Sequence, residues 1–296
     1  MFSAVAPLLI ADVPWLLYRA YFALPKSIVD GEGEPVNALL GTVNALLAAV
    51  ESVTPRAVVA CIGAEQADYR VALYPPYHAH RDPMPAPLAR QFQLAPGLLE
   101  ALGFEVAITE TLEADDLMLS FARAEEAAGG KALLMTADRD LFAAVSDRVG
   151  VLEQRKGGAP AEVGPAQVRE RYGIGPELVT DLIALRGDPS DGIPGAPGIG
   201  AKTAAELLRA HGSLEGVLQA AERPSAVISG DLRPRIAAVL RDCGDQLRMF
   251  QQVATLQEVK VRRPRDRPVN ARGGAAAARA LGMKRLATRL EEMATA

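Results

Sequence analysis

The chain has 296 residues, 49% hydrophobic and 23% charged, enough apolar material for one large domain or two lobes. A formal charge of -4 argues against a blanket polyanion binder, and no apolar run approaches the ~20 residues a membrane helix needs. Cys61 and Cys243 lie far apart, and His78, His80 and His211 are the only histidines, so neither a disulfide framework nor a zinc site of usual spacing is expected.

Four apolar runs are short enough to be buried strands and end in turns or polar clusters. They are APLLIAD (6–12), PRAVVACIGA (55–64), FEVAITE (104–110) and KALLMTADRD (131–140). Segments of helical character alternate with them at about 36–53, 87–102, 114–128 and 139–147. This alternation predicts an α/β first half with a mostly parallel sheet covered on both faces. VGVLEQ (149–154) reads as a further strand. From RKGGAPAEVG (155–164) the character changes, and helices are expected at about 165–173, 176–186, 201–210, 213–220 and 231–249. A short apolar alternation follows in QVATLQEVKV (252–261), then an Ala/Gly-biased ARGGAAAARA (271–280) and a last helix near 284–293. No basic, apolar leader opens the sequence, so a cytoplasmic location is expected.

Ligands of open parallel sheets collect beyond the carboxyl ends of the strands. Asp12 ends the first expected strand, Glu113, Asp115 and Asp116 open the helix after the third, and Asp138 and Asp140 follow the fourth. Taken singly, each reads equally well as a helix cap or a complement to a macrodipole. As a set they repel by about 1 kcal/mol per pair at ~4 Å even in water, so neutralising cations are expected. Oxygen-only donors select Mg²⁺ or Mn²⁺, and two such ions suit in-line displacement at phosphorus. Phosphodiester hydrolysis is the reaction class this suggests.

GDPSDGIPGAPGIGAKT (187–203) sets Asp188 and Asp191 before a Gly/Pro turn. It resembles a phosphate-binding G-x-x-x-x-G-K-[ST] loop, but Ala201 intrudes between Gly200 and Lys202, and no strand precedes it. A helix–hairpin–helix fits better. Its Gly198-Ile199-Gly200 turn would offer backbone N–H groups to a phosphate and lead into a helix N-terminus at Lys202 and Thr203. Such a turn holds the nucleic-acid backbone without reading bases.

These pieces, joined by ADVPWLLYRAYFALP, YRVALYPPYHAHRDPMP, LEADDLMLSFA, TADRDLFAAVSDRV and LGMKRLATRLEE, resemble the 5′-nuclease (flap endonuclease) family. The likeness is strongest to the bacterial 5′–3′ exonuclease that stands alone or forms the N-terminal part of DNA polymerase I. It implies a PIN-like core over 1–163 with a helical arch at about 70–98. Over 164–296 it implies a helical lobe with a helix–hairpin–helix at about 176–210 and a C-terminal extension. Asp12, Glu113 and Asp115 match a first metal group; Asp116, Asp138, Asp140, Asp188 and Asp191 match a second and its surroundings. Tyr77, His78 and Arg81 match the arch, Arg70 matches a phosphate-facing position, and carbonyls near Gly198–Gly200 match a K⁺ site. Arg70 and Arg81 are thus expected as catalytic cations, and Tyr77, His78, Gly198, Gly200, Lys202 and Thr203 as DNA contacts. Expected substrates are DNA with 5′ flaps, nicks or single-stranded 5′ ends, and RNA primers in hybrids. The resemblance further implies a monomer working at the nucleoid in replication and repair.

Two departures stand out. Gly63 falls where the family has an aspartate, so weaker metal affinity is expected, with Gly63→Asp restoring it. His78 replaces the lysine of the arch motif, which would weaken phosphate steering near neutral pH. A structure-specific DNA-binding protein with reduced chemistry is the alternative these departures motivate.

Overall fold

Alternate residues of the first strand face opposite sides, and all of them are buried. In the computed structural model, which describes residues 6–154, 160–223 and 232–295, β1 (Leu8–Asp12) is the centre of the molecule. Leu8 and Ile10 face one apolar cluster, and Leu9 and Ala11 face the other, as the strand period of two requires. In chain order there follow α1 (Val13–Ala23), α2 (Asn37–Val53), β2 (Ala57–Ile62), α3 (Asp68–Leu73), α4 (Ala86–Ala101), β3 (Glu105–Ile108), α5 (Ala114–Ala127), β4 (Ala132–Met135), β5 (Val149–Glu153) and β6 (Ala161–Val163). The sheet order is β3-β2-β1-β4-β5-β6, parallel except for β6, which pairs antiparallel with β5.

The second half is helical: α6 (Pro165–Tyr172), α7 (Val179–Arg186), α8 (Ala201–His211), α9 (Leu214–Ala221), α10 (Pro234–Ala254), α11 (Ala271–Ala280) and α12 (Lys284–Met293). Helices α7 to α10 join α5 on the sheet face that holds Leu8 and Ile10. By contrast, α11 and α12 return to the opposite face, where Ala275, Leu286 and Leu290 pack among residues of α2 and α4.

Several expectations change in detail. Residues 13–23 form a helix that the apolar pattern did not announce, opened by Pro14 and capped by Asp12. The segment expected as a helix at 139–147 is a 3-10 turn, Asp140–Ala144. Residues 161–163 add an edge strand, and the Ala-rich 271–280 is a helix capped by Asn270, whose side chain accepts from Gly273 N. The helix expected at 231–249 is α10, displaced to 234–254; residue 231 lies outside the described residues.

After α10 the alternating stretch forms no strand. It crosses α5 as an extended strap held by side chains: Gln257 N donates to Asp116 Oδ1 (2.7 Å) and Val259 N to Ser120 Oγ (2.9 Å). Further on, Glu125, whose side chain is fully buried, accepts from Arg263 (Nε 2.8 Å, Nη2 3.0 Å) and from Arg56. Burial alone would raise the Glu125 carboxyl, but the bonds from Arg56 and Arg263 outweigh it and hold it below its ordinary value. Removing one partner of a buried pair leaves an uncompensated charge, so Glu125→Ala should cost roughly 3–5 kcal/mol in denaturant unfolding. Because a depressed carboxyl gives stability that vanishes as pH falls through its folded value, this cost should shrink in acid.

Candidate active site

The carboxyl ends of β1 and β4 and the start of α5 open into a cavity of about 1030 Å³. Asp12 enters it as the last residue of β1. One of its oxygens accepts from Trp15 N (2.9 Å), capping α1, and the other from the buried Thr136 hydroxyl (2.9 Å). Glu113 enters as the N-cap of α5. Its Oε1 accepts from Ala67 N (2.8 Å), and its Oε2 accepts from Tyr77 OH (3.0 Å) and pairs with Arg70 Nη1 (2.7 Å). Asp115 follows two residues on, in the first turn of α5. Asp138 and Asp140 share a turn in which Asp140 N donates to Asp138 Oδ1 (2.8 Å).

Asp188 and Asp191 come from the loop after α7. Asp188 closes this loop by exchanging backbone hydrogen bonds with Ile193 (2.7 and 2.8 Å), and Gly187, at φ 79°, makes the turn. Asp191 is held by His78 Nε2 (2.9 Å) and Arg81 Nη2 (3.2 Å). Asp12, Glu113, Asp115, Asp138, Asp140, Asp188 and Asp191 all line the one cavity, with Arg81, Arg139 and Arg186 beside them. Trp15 and Phe22, the latter 69% exposed, form an aromatic wall of the same cavity.

Their charges feel one another. Burial pushes Asp12 up to about 6, assisted by Asp138 and opposed by the Trp15 and Thr136 bonds. Asp115 is pushed well above the carboxylate range by burial and then by Asp138, Asp12 and Glu113. Asp138 is open to the cavity's solvent, yet dense protein surrounds it and raises it, with Asp191 and Asp188 adding repulsion. Asp140 shifts far up for the same reasons, burial first and then Asp138. Among the described residues no three His, Cys, Asp or Glu side chains stand close enough together to hold a metal ion as they lie. The donor set itself is all oxygen, which suits a hard divalent cation.

Two expected site residues point elsewhere. Asp116 is fully buried outside the cavity, where it pairs with Arg70 Nη2 (3.0 Å) and accepts from Gln257 N and Tyr69 OH. Arg70 is 3% exposed and spans Glu113, Asp116 and the Val253 carbonyl (3.0 Å), so it is a strut and faces no phosphate. A guanidinium suits that work because its fork serves two carboxylates and a carbonyl at once. Tyr77 is buried with its hydroxyl on Glu113. His78, expected as a DNA contact of the arch, is 3% exposed at φ 55°, stacked on Tyr77, with ring nitrogens on Asp191 and the Glu65 carbonyl (3.2 Å).

Gly198, Gly200, Lys202 and Thr203 lie outside the cavity, on the turn into α8. Gly198 has φ 77°, and a Cβ at Gly198 or Gly200 would meet nothing within 4 Å, so that turn presents its backbone to solvent. Sequence reasoning missed Arg139, Arg186 and Thr136. Only their places beside Asp138, Asp188 and the end of β4 hinted at them.

Gly63 receives a different explanation from the one expected. A Cβ there would lie 2.2 Å from Ala114 N and 2.4 Å from Glu113 C, both backbone atoms. The loop after β2 presses against the start of α5, with Ala64 N bonded to Leu112 O (2.8 Å). No side chain fits at 63, so the space an aspartate would use is closed. Glu65 is the acid this loop sends to the cavity, and it accepts from Tyr18 OH (2.9 Å).

Residues 7–173 match the 5′-3′ exonuclease N-terminal resolvase-like domain, and residues 174–266 match the 5′-3′ exonuclease C-terminal SAM fold. The chain belongs to the 5′-3′ exonuclease family. A 5′-3′ exonuclease of Mycobacterium tuberculosis is 34% identical over 283 residues, covering 88% of each chain. The thermostable DNA polymerase I of Thermus thermophilus is 38% identical over 242 residues, 82% of this chain but 28% of the polymerase. The chain therefore spans little more than a quarter of that relative's length. Among solved structures, the bacteriophage T5 D15 flap endonuclease, in a pseudo-enzyme-product complex with DNA and metal ions, superposes with a TM-score of 0.67 at 18% identity. That match covers 98% of this chain and 100% of the phage protein and establishes the shared fold.

Two outcomes follow for this 5′-3′ exonuclease family member. A carboxyl raised by folding gives stability that is present below its ordinary value and lost as pH rises through its folded value, about 6 for Asp12. The metal-free protein should therefore melt higher at about pH 5.5 than at about pH 8, and Mg²⁺ should recover the difference at the higher pH. Differential scanning calorimetry with and without EDTA checks this. Gly63→Asp, expected from the family pattern to help, should instead cost about 1–3 kcal/mol by overpacking and raise the metal concentration needed for half-maximal rate.

Proposed function

We propose that the chain hydrolyses phosphodiesters at 5′ ends and at flap junctions of DNA, in a divalent-metal-dependent reaction serving replication and repair. The observation that carries this reading is the convergence of seven acidic side chains, Asp12, Glu113, Asp115, Asp138, Asp140, Asp188 and Asp191, in one cavity. They come from four separate stretches of chain; Arg70, His78, Arg81 and Arg186 pair with Glu113, Asp191 and Asp188, while Asp12, Asp115, Asp138 and Asp140 have no ion-pair partner among the described residues, a balance that suits bound cations. These residues would hold Mg²⁺ or Mn²⁺; Asp116, committed to Arg70, is not among them. Bound ions of this kind activate water and stabilise the leaving oxygen.

The chain's own groups supply position and counter-charge. Arg81, Arg139 and Arg186 line the cavity and neutralise the phosphates brought to it. Tyr77 and Arg70 hold Glu113, while His78 and Arg81 hold Asp191, so each of these acids is oriented before substrate arrives. The open turn at Gly198–Gly200, with Lys202 after it, takes a duplex phosphate at the N-terminus of α8, and its carbonyls suit K⁺. Bases of an unpaired 5′ strand would lie on Trp15 and Phe22. DNA with 5′ flaps, nicks or single-stranded 5′ ends is the proposed substrate, with RNA primers in hybrids a further one, and the working state is a monomer. The proposed place of action is the nucleoid in the cytoplasm; among the described residues no helix is long and apolar enough to cross a membrane.

Cleavage of a 5′-labelled flap duplex by the wild-type protein and by Asp138→Ala, in EDTA, Mg²⁺ and Mn²⁺, tests this reading. Metal-dependent cutting near the junction is expected, reduced in Asp138→Ala by at least roughly 100-fold, the upper end of what outer-shell partners cost. Binding in every metal without cutting would overturn it in favour of a reader of DNA structure.

A further inference from the structure

The strap after α10 carries a second feature. Arg262, Arg263, Arg265 and Arg267 fall within six consecutive residues of a chain whose net charge is negative. They rim a hollow of about 300 Å³ floored by Ala57, Gly103 and the first residue of β3, Glu105. The hollow lies at the amino-terminal ends of β2 and β3. The carboxylate cavity lies beyond the opposite ends of the strands, roughly 17 Å away along β2 at about 3.3 Å per residue.

Backbone and side chains divide the work here. Arg263 is spent on Glu125, and Asp266 is taken by Arg56 (2.8 Å). Arg56 Nη1 also donates to the Pro264 carbonyl (2.9 Å), Arg267 N to Arg56 O (2.9 Å), and Asn270 N to Leu102 O (2.8 Å). The strap is thus pinned at Pro264, Arg267 and Asn270. Arg262, Arg265 and Arg267 remain exposed and, among the described residues, form no ion pair. Glu105 is the single acid facing them in the hollow.

We propose that Arg262, Arg265 and Arg267 form a second nucleic-acid contact that grips the phosphodiester backbone on the side of the sheet away from the cavity. Three guanidiniums around one hollow exceed what a single phosphate needs and suit successive phosphates of one strand. The pinned backbone leaves no strap to be ordered on binding, and phosphate contacts of this kind hold any sequence. This inference rests on the nuclease reading and extends its substrate to a strand long enough to reach both rims.

The test is the salt dependence of binding to a flap with two turns of duplex, in an Asp138→Ala background that leaves the DNA intact. Replacing all three arginines by glutamine should lower the slope of log K against log salt by about 2–3, near 0.9 for each lost phosphate contact. The triple lysine variant should keep it. An unchanged slope in the glutamine variant, with its melting temperature retained, overturns the proposal. Inorganic phosphate is the second arm: if low millimolar phosphate raises the melting temperature of the wild type and not of the glutamine variant, while the two bind the flap with the same salt slope, the hollow is a small-anion site and the strand contact is overturned. Failure of the nuclease reading shows separately, as wild-type protein that does not cut a flap.

Discussion

The mutual repulsion of carboxylates at one rim of the sheet is the constraint on which the rest of the structure depends. Folding brings Asp12, Asp115, Asp138 and Asp140 together, and burial first, with their mutual repulsion added to it, raises their carboxyls. A fold tolerates that crowding only where other parts leave the acids nowhere else to go. The fully buried β1 puts Asp12 at the rim, the capping box of α5 fixes Glu113, and the hairpin closed by Asp188 and Ile193 brings in Asp188 and Asp191. Perturbed carboxyls gathered in one cavity in this way mark a candidate functional site.

Arg70 and Asp116 connect that rim to the helical half. Arg70 reaches from Glu113 to the last turn of α10 through the Val253 carbonyl, while Asp116 takes the strap's Gln257 N. One buried pair therefore couples the orientation of a cavity acid to the docking of the lobe. The strap continues the coupling through Ser120, Glu125 and Arg56 before α11 and α12 close over the other face of the sheet. Lobe and core are joined by hydrogen-bonded charges as well as by apolar contact, which accounts for an interface rich in arginine.

Both departures from the family pattern become intelligible as packing. Glycine at 63 lets two backbones approach to within a distance no Cβ permits, and Glu65 supplies an acid to the same wall. His78 serves as a short, buried bridge between Asp191 and the Glu65 carbonyl.

Read without its fold, the chain already declares strands as apolar runs, acids at their carboxyl ends and a Gly/Pro turn before Lys202, because these depend on local pattern and backbone sterics. It also declares the oxygen-only character of the site, since no cysteine pair or histidine cluster competes with the carboxylates. The orientation of each side chain was not legible. Asp115 and Asp116 are neighbours of one type, yet a helix turns them about 100° apart, so one faces the cavity and the other Arg70. The same holds for helix α1, whose apolar residues are too continuous to show a period, and for the strap, whose alternating residues find side chains and no partner strand. Composition and spacing determined which chemistry the protein can host; only tertiary packing decided which acids share a cavity and which arginines are struts, because those outcomes depend on contacts between residues far apart in the chain.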